Sequence, residues 1–157
     1  MKFKNWLKKW NFSSLKINAE FLELELTFDD LDKKAAWEMY VELLTRITTQ
    51  PLKIEDGDEE TALKSIHNLF PLTREILKKY GVGSITFAKI AIVILNQIIR
   101  PFTAKWHGLS LQGAFKEPSR CLEFRQELQV LREQLVTYAR LLSDIAGVED
   151  LTNLENT

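Results

Sequence analysis

The chain has 157 residues, 45% of them hydrophobic and 27% charged, with a formal net charge of −1. That balance fits one globular domain with a sizeable core and gives no global electrostatic case for nucleic acid. The single cysteine, Cys121, excludes an intramolecular disulfide and a cysteine-rich zinc site; only His67 and His107 remain as imidazole ligands, and no carboxylate cluster supplements them, so neither a metal nor another cofactor is expected.

Residues 2–11, KFKNWLKKWN, place Phe3, Trp6, Leu7 and Trp10 at i, i+3, i+4 and i+7, with Lys2, Lys4, Lys8 and Lys9 falling largely elsewhere on the wheel. This predicts a short basic amphipathic leader helix over residues 1–12. Its lysines interrupt the apolar residues, so it lacks the apolar region of a secretory signal. Left free, Phe3, Trp6, Leu7 and Trp10 would form a contact patch. Lys8 and Lys9 would add attraction to an acidic protein surface or to anionic lipid. The segment can equally dock on the other helices or on a partner helix. The core pattern from Phe21 to Ile145 is complete without it, so the leader is expected to be dispensable for folding and to matter for association.

FLELELTF, Phe21 to Phe28, alternates strictly and predicts a half-buried strand, with SLKI, Ser14 to Ile17, as a hairpin partner. DDLD then opens a helix running to about Thr48, with Asp29 or Asp30 as its cap. Its apolar positions include Leu31, Ala36, Trp37, Tyr40, Val41, Leu44 and Ile47. An acidic loop over residues 52–60 follows Pro51. DGDEE, Asp56 to Glu60, lacks the twelve-residue calcium-loop pattern and reads as a solvated helix start. Asp58 or a neighbour caps a second helix to Tyr80, kinked by Pro71 and ended by Gly81 and Gly83. A third helix starts at Ser84 and crosses the apolar run Ile85 to Ile99. That run is 15 residues long and contains Lys89, Asn96 and Gln97, which makes it a buried core helix rather than a membrane span. Pro101 should bend this helix and Gly108 end it.

Pro118 suits the first turn of the last helix. Cys121, Phe124, Leu128, Leu131, Leu135, Tyr138, Leu142 and Ile145 follow at alternating spacings of three and four. This heptad seam forms the fourth wall of a bundle or, in part, pairs with a second chain. Gly147 stops the helix. The predicted organisation is a leader helix over 1–12, one mainly α domain over 13–147, and a flexible tail over 148–157. The domain is an antiparallel four-helix bundle with a short N-terminal strand or hairpin.

The one stretch that reads as chemistry is RPFTAKWH, Arg100 to His107. On a helix these two residues share a face about 10.5 Å apart along the axis. A histidine can move protons at neutral pH, and an arginine can hold a phosphate. The spacing resembles the Arg-x(4–6)-His motif of HEPN ribonucleases, which are helical bundles acting as dimers. That resemblance implies a metal-independent ribonuclease using Arg100 and His107. In that family a polar residue follows the arginine and the motif lies near the start of the last helix. Here Pro101 follows Arg100, and the pair ends the third helix, where both side chains also favour the negative helix terminus. His67 has no ligand at chelating spacing and reads as a surface histidine.

KKAAWEMYVELLTRITTQ, ALKSIHNLFPLTREILKKYG and LNQIIRPFTAKWH together resemble an uncharacterised bacterial family of small helical proteins. The resemblance covers roughly residues 15–145 and implies a bacterial, cytoplasmic protein with an accessory or conflict-system role. The leading expectation is a non-enzymatic interaction or adaptor module with a protein partner or a second copy. Peripheral membrane contact would run through residues 1–12. The ribonuclease is the alternative, and the only one that brings nucleic acid as a partner.

Overall fold

The computed structural model describes residues 1–46 and 58–155. The expected helix end near Thr48, Pro51 and the acidic loop as far as Gly57 lie outside the described residues. The chain is mainly α. Its helices are α1 (Phe3–Lys9), α2 (Ala19–Leu22), α3 (Asp30–Leu44), α4 (Glu59–His67), α5 (Leu69–Tyr80), α6 (Ile85–Ile94), α7 (Arg100–Leu111) and α8 (Pro118–Ala146). Helix α8 packs most extensively against α3, and α3 also meets α5 and α6.

The last helix follows its pattern closely. Pro118 occupies the first turn of α8, and Gly147 closes it in the left-handed conformation at φ 70°. From Phe124 to Ile145 every seam residue is buried, with Cys121 half-buried. The seam is therefore consumed inside the chain and leaves little of itself for a second one.

Both internal prolines reshape their helices. Pro71 has no N–H and its ring crowds the carbonyl four residues back, that of His67. The axis breaks there: α4 ends at His67 and α5 begins at Leu69. Ahead of Pro101, residues Leu95–Ile99 widen into a π turn, with the Arg100 N–H reaching back to the Leu95 carbonyl. Gly108 does not end this helix. It sits inside α7, and the reversal falls to Gly113 at φ 83°. The run from Glu59 to Leu111 is long and apolar enough to cross a membrane, with a mean hydropathy of 1.8 over its most apolar stretch. A third of that stretch, 33%, is buried against the rest of the chain.

The expected β element is absent: among the described residues there is no strand. The Asn18 side chain accepts a hydrogen bond from the Glu20 N–H at 2.9 Å and starts the single helical turn α2 instead. The extended backbone beyond it pairs with the chain's first residues, not with Ser14 to Ile17. The Phe3 N–H donates to the Leu24 carbonyl at 2.9 Å, and the Leu26 N–H to the Met1 carbonyl at 3.0 Å. This leaves one antiparallel bridge, Lys2 with Glu25. Of the alternating apolar residues Leu24 remains exposed, while Leu22, Leu26 and Phe28 lie half-buried against the core.

The leader forms the helix its pattern predicts and docks on the rest of the chain, which corrects only its reading as a free contact patch. Phe3, Trp6 and Leu7 are buried in the main core and Trp10 packs at its edge. Trp6 lies against Phe28, with ring centroids 6.0 Å apart. The tail expected over 148–157 is anchored where it is described: Tyr40 Oη donates to the Glu149 carbonyl at 3.2 Å and accepts from the Leu151 N–H at 2.6 Å.

Candidate functional site

The residues singled out from the sequence divide sharply. Of the leader's six, Phe3, Trp6 and Leu7 are inaccessible, and Trp10 is half-buried, with the Lys9 ammonium 5.4 Å from the centroid of its ring. Only Lys8 and Lys9 face solvent. Nearer the start of the helix, Lys2 and Lys4 hold Glu23 at 2.8 and 2.7 Å. Hydrogen bonds from Lys2 and then Lys4 hold the Glu23 carboxyl down at about 2. The leader's basic residues therefore clasp the acidic segment of their own chain.

Arg100 and His107 are not brought together. Arg100 donates to Asn96 Oδ1 through Nε at 3.2 Å and Nη2 at 3.0 Å. Its guanidinium also stacks 4.7 Å from the Phe70 ring centroid. The stacking contact pins the start of α7 to the start of α5, while the Asn96 bonds hold the guanidinium within its own helical run. His107 lies further along α7, in a groove facing α4 that Arg100 does not line.

That groove is about 380 Å³. Glu60, Leu63, Lys64 and His67 line it from α4, and Thr103, His107, Ser110 and Leu111 from α7. Each set follows helical spacing along one face. The helices run antiparallel away from the Phe70–Arg100 contact. The chain's only two histidines thus line one groove, though the sequence ties only His107 to a motif, and to Arg100 rather than to His67. The fold alone makes the pairing, because the break at Asn68 and the turn before Pro101 lay the two helices side by side.

A second groove, about 390 Å³, lies between α3 and α5. Trp37 and Val41 form one wall, 44% and 38% exposed, and Leu72 and Ile76 the other. Both α3 residues were expected to face inward. The buried stripe of α3 is instead Asp32, Ala35, Ala36, Met39, Tyr40 and Leu43, which turns Trp37 and Val41 outward. Glu38, Glu42, Glu75 and Lys79 rim this groove. Desolvation raises the pKa of Glu38, but hydrogen bonds from Lys79 and Tyr80 outweigh it and hold the group below its ordinary value. Arg46 pairs with Glu42 at 2.8 Å.

Among the described residues no cluster of three or more His, Cys, Asp or Glu could hold a metal ion. Comparison with protein-family models, curated proteins and solved structures returns no match.

Proposed function

We propose that this chain is a non-enzymatic interaction module: an antiparallel bundle of four helical runs (α3, α4–α5, α6–α7 and α8) that presents the Trp37 groove to a partner protein. Trp37 carries the reading. Trp6 and Trp106 are buried and Trp10 half-buried, while Trp37 stands 44% exposed over a groove with Val41 and Leu72. A tryptophan in such a setting is the residue type that most often dominates an interface. The rim carries three carboxylates against the one ammonium of Lys79. Glu75 forms no ion pair among the described residues, since no salt bridge includes it. The partner is accordingly a helix with an apolar ridge and a basic residue placed against Glu75.

The test is photocrosslinking from a benzophenone side chain at Val41 in the source cells, with the adduct identified by mass spectrometry. A single adduct bearing a basic amphipathic segment, and lost in Trp37→Asp, supports the module. A wild-type chain that forms no adduct and sediments as a monomer counts against it.

The ribonuclease alternative loses its arginine, because Arg100 is committed to Asn96 and Phe70 and lies outside the His107 groove. Incubation with RNA in EDTA, wild type beside His107→Ala, decides between the two readings. Cleavage by wild type alone would restore the nuclease.

A further inference from the structure

We infer that the groove between α4 and α7 is a binding site for a small phosphate monoester. Lys64, His67 and His107 hold its phosphate, and Leu63 and Leu111 receive its apolar body. The site is separate from the Trp37 groove.

Three observations carry this. The first is convergence: both histidines of the chain and a lysine line one groove of about 380 Å³, a volume suited to a small organic ligand. The second is that these exposed donors are held by no short-range partner, although Asp58 feels the charge of Lys64. Among the described residues Lys64 forms no salt bridge, and neither imidazole forms a hydrogen bond; the ring of His67 lies against that of Phe70, at 5.5 Å between centroids. The groove's hydroxyls, by contrast, are satisfied within their own helix. Ser110 Oγ donates to the His107 carbonyl at 2.8 Å and Thr103 Oγ1 to the Arg100 carbonyl at 3.1 Å. The third is the division of the lining. Leu63 contributes a buried wall, and Leu111 is 76% exposed at the other side of the opening.

The donor set selects the anion. An imidazole presents a ring N–H in either charge state, and a lysine presents three donors. A phosphate monoester offers three acceptor oxygens and close to two negative charges, which one ammonium and two imidazoles can satisfy together. An arginine fork would suit a carboxylate and a phosphate alike, and none lines this groove among the described residues. What favours the phosphate is its third acceptor oxygen and its second charge, which match three separate donors better than a planar, singly charged carboxylate does. Glu60 sits one turn before Lys64 and opposes any anion. It fixes the polarity of the site, with the phosphate toward His67 and the apolar body toward Leu111.

The experiment follows the two imidazole Cε1–H signals by NMR, each assigned by loss in His67→Gln or His107→Gln, during titration with phenyl phosphate at constant ionic strength. Both signals should move along one saturating curve. Lys64→Met should weaken binding about ten-fold, the scale of one charge-assisted hydrogen bond. Glu60→Gln should tighten it, and inorganic phosphate should bind more weakly than phenyl phosphate. Trp37→Asp should leave the curve unchanged, which keeps this site independent of the interaction surface. Absence of a saturable shift at either histidine overturns the proposal. So do curves unaltered by Lys64→Met, or benzoate binding as tightly as phenyl phosphate.

Discussion

Asp32, in the first turn of α3, accepts a hydrogen bond at 2.8 Å from the backbone N–H of Phe87 in the first turn of α6. Its other oxygen accepts from the Asp29 N–H at 2.9 Å. The first amides of a helix have no partner within it. Asp32 therefore caps its own helix and a second one far along the chain. Ser84, which the sequence places as the start of that second helix, does not cap it. Its hydroxyl turns back to the Gly81 carbonyl at 2.9 Å. Fully buried, Asp32 joins the starts of α3 and α6 with no ion pair among the described residues.

Replacing Asp32 tests that joint. Asp32→Ala strands the buried Phe87 amide, at a cost of about 1–3 kcal/mol, and removes the cap on the more exposed Asp29 amide, at about 0.5–1.5 kcal/mol. A loss of about 2–4 kcal/mol in urea unfolding is expected. Asp32→Asn keeps one acceptor and should cost less. Equal midpoints for wild type and Asp32→Ala would remove the role.

The leader helix makes the opposite prediction from the one its sequence invited. Deleting residues 1–12 removes Phe3, Trp6 and Leu7 from the core, and burial of each such side chain contributes about 1.5–3 kcal/mol. The truncated chain should melt far below wild type or fail to fold, and Trp6→Ala alone should cost about 3–5 kcal/mol. The clasp on Glu23 adds a pH dependence. Its carboxyl is lowered from 4.5 to about 2 by hydrogen bonds from Lys2 and Lys4. Its stabilising contribution is therefore complete above about pH 4.5 and disappears as the pH falls through about 2. All three groups are largely exposed, so the effect is small and salt-sensitive. The melting difference between wild type and Glu23→Gln should shrink over that acid range and in high salt. A difference that stays constant from pH 6 to pH 2 would contradict the clasp.

The helices were legible because their signals are local. The seam of α8, Pro118 and Gly147 at its ends, and Pro71 as a breaker each act within a turn or two. The α1 pattern was equally clear, but an amphipathic face states only that something covers it. Here the chain's own core does. The strand failed because an alternating stretch needs a partner that its own residues cannot specify. Asn18 took part of it into a helical turn, and residues 1–3 claimed the rest. Trp37 misled because α3 carries two apolar stripes, and the one with alanines lies against α8. The histidine groove had no signal at all in the sequence, since His67 and His107 stand forty residues apart and meet only after two proline-directed breaks.

Tryptophan replacements separate folding from association. Trp106 is fully buried, packed edge-on to Phe124 with centroids 5.2 Å apart. Trp106→Ala should cost about 3–5 kcal/mol. Trp37, 44% exposed, should cost no more than about 1 kcal/mol on truncation to alanine. Thermal melts of the two variants check this. A Trp37→Ala chain as unstable as Trp106→Ala would make Trp37 a structural residue and remove the case for a contact surface.

Tyr40 and the C-terminal residues form a clasp that can be dissected by a cycle. Tyr40 is fully buried, yet its hydroxyl has two partners, the Glu149 carbonyl and the Leu151 N–H. Desolvation raises the phenol above its ordinary pKa, so the hydroxyl remains a neutral donor and acceptor at physiological pH. Removing residues 148–157 takes away both partners and leaves a buried hydroxyl unsatisfied, at a cost of about 1–3 kcal/mol. Tyr40→Phe alone leaves the tail's amide and carbonyl free to meet water, at a cost of about 0.5–1.5 kcal/mol. In the Tyr40→Phe background the same truncation should cost markedly less, because the stranded hydroxyl is gone. The coupling should be about 1 kcal/mol or more, as for groups in direct contact. Strictly additive losses in urea unfolding would mean that the tail is held by something other than Tyr40.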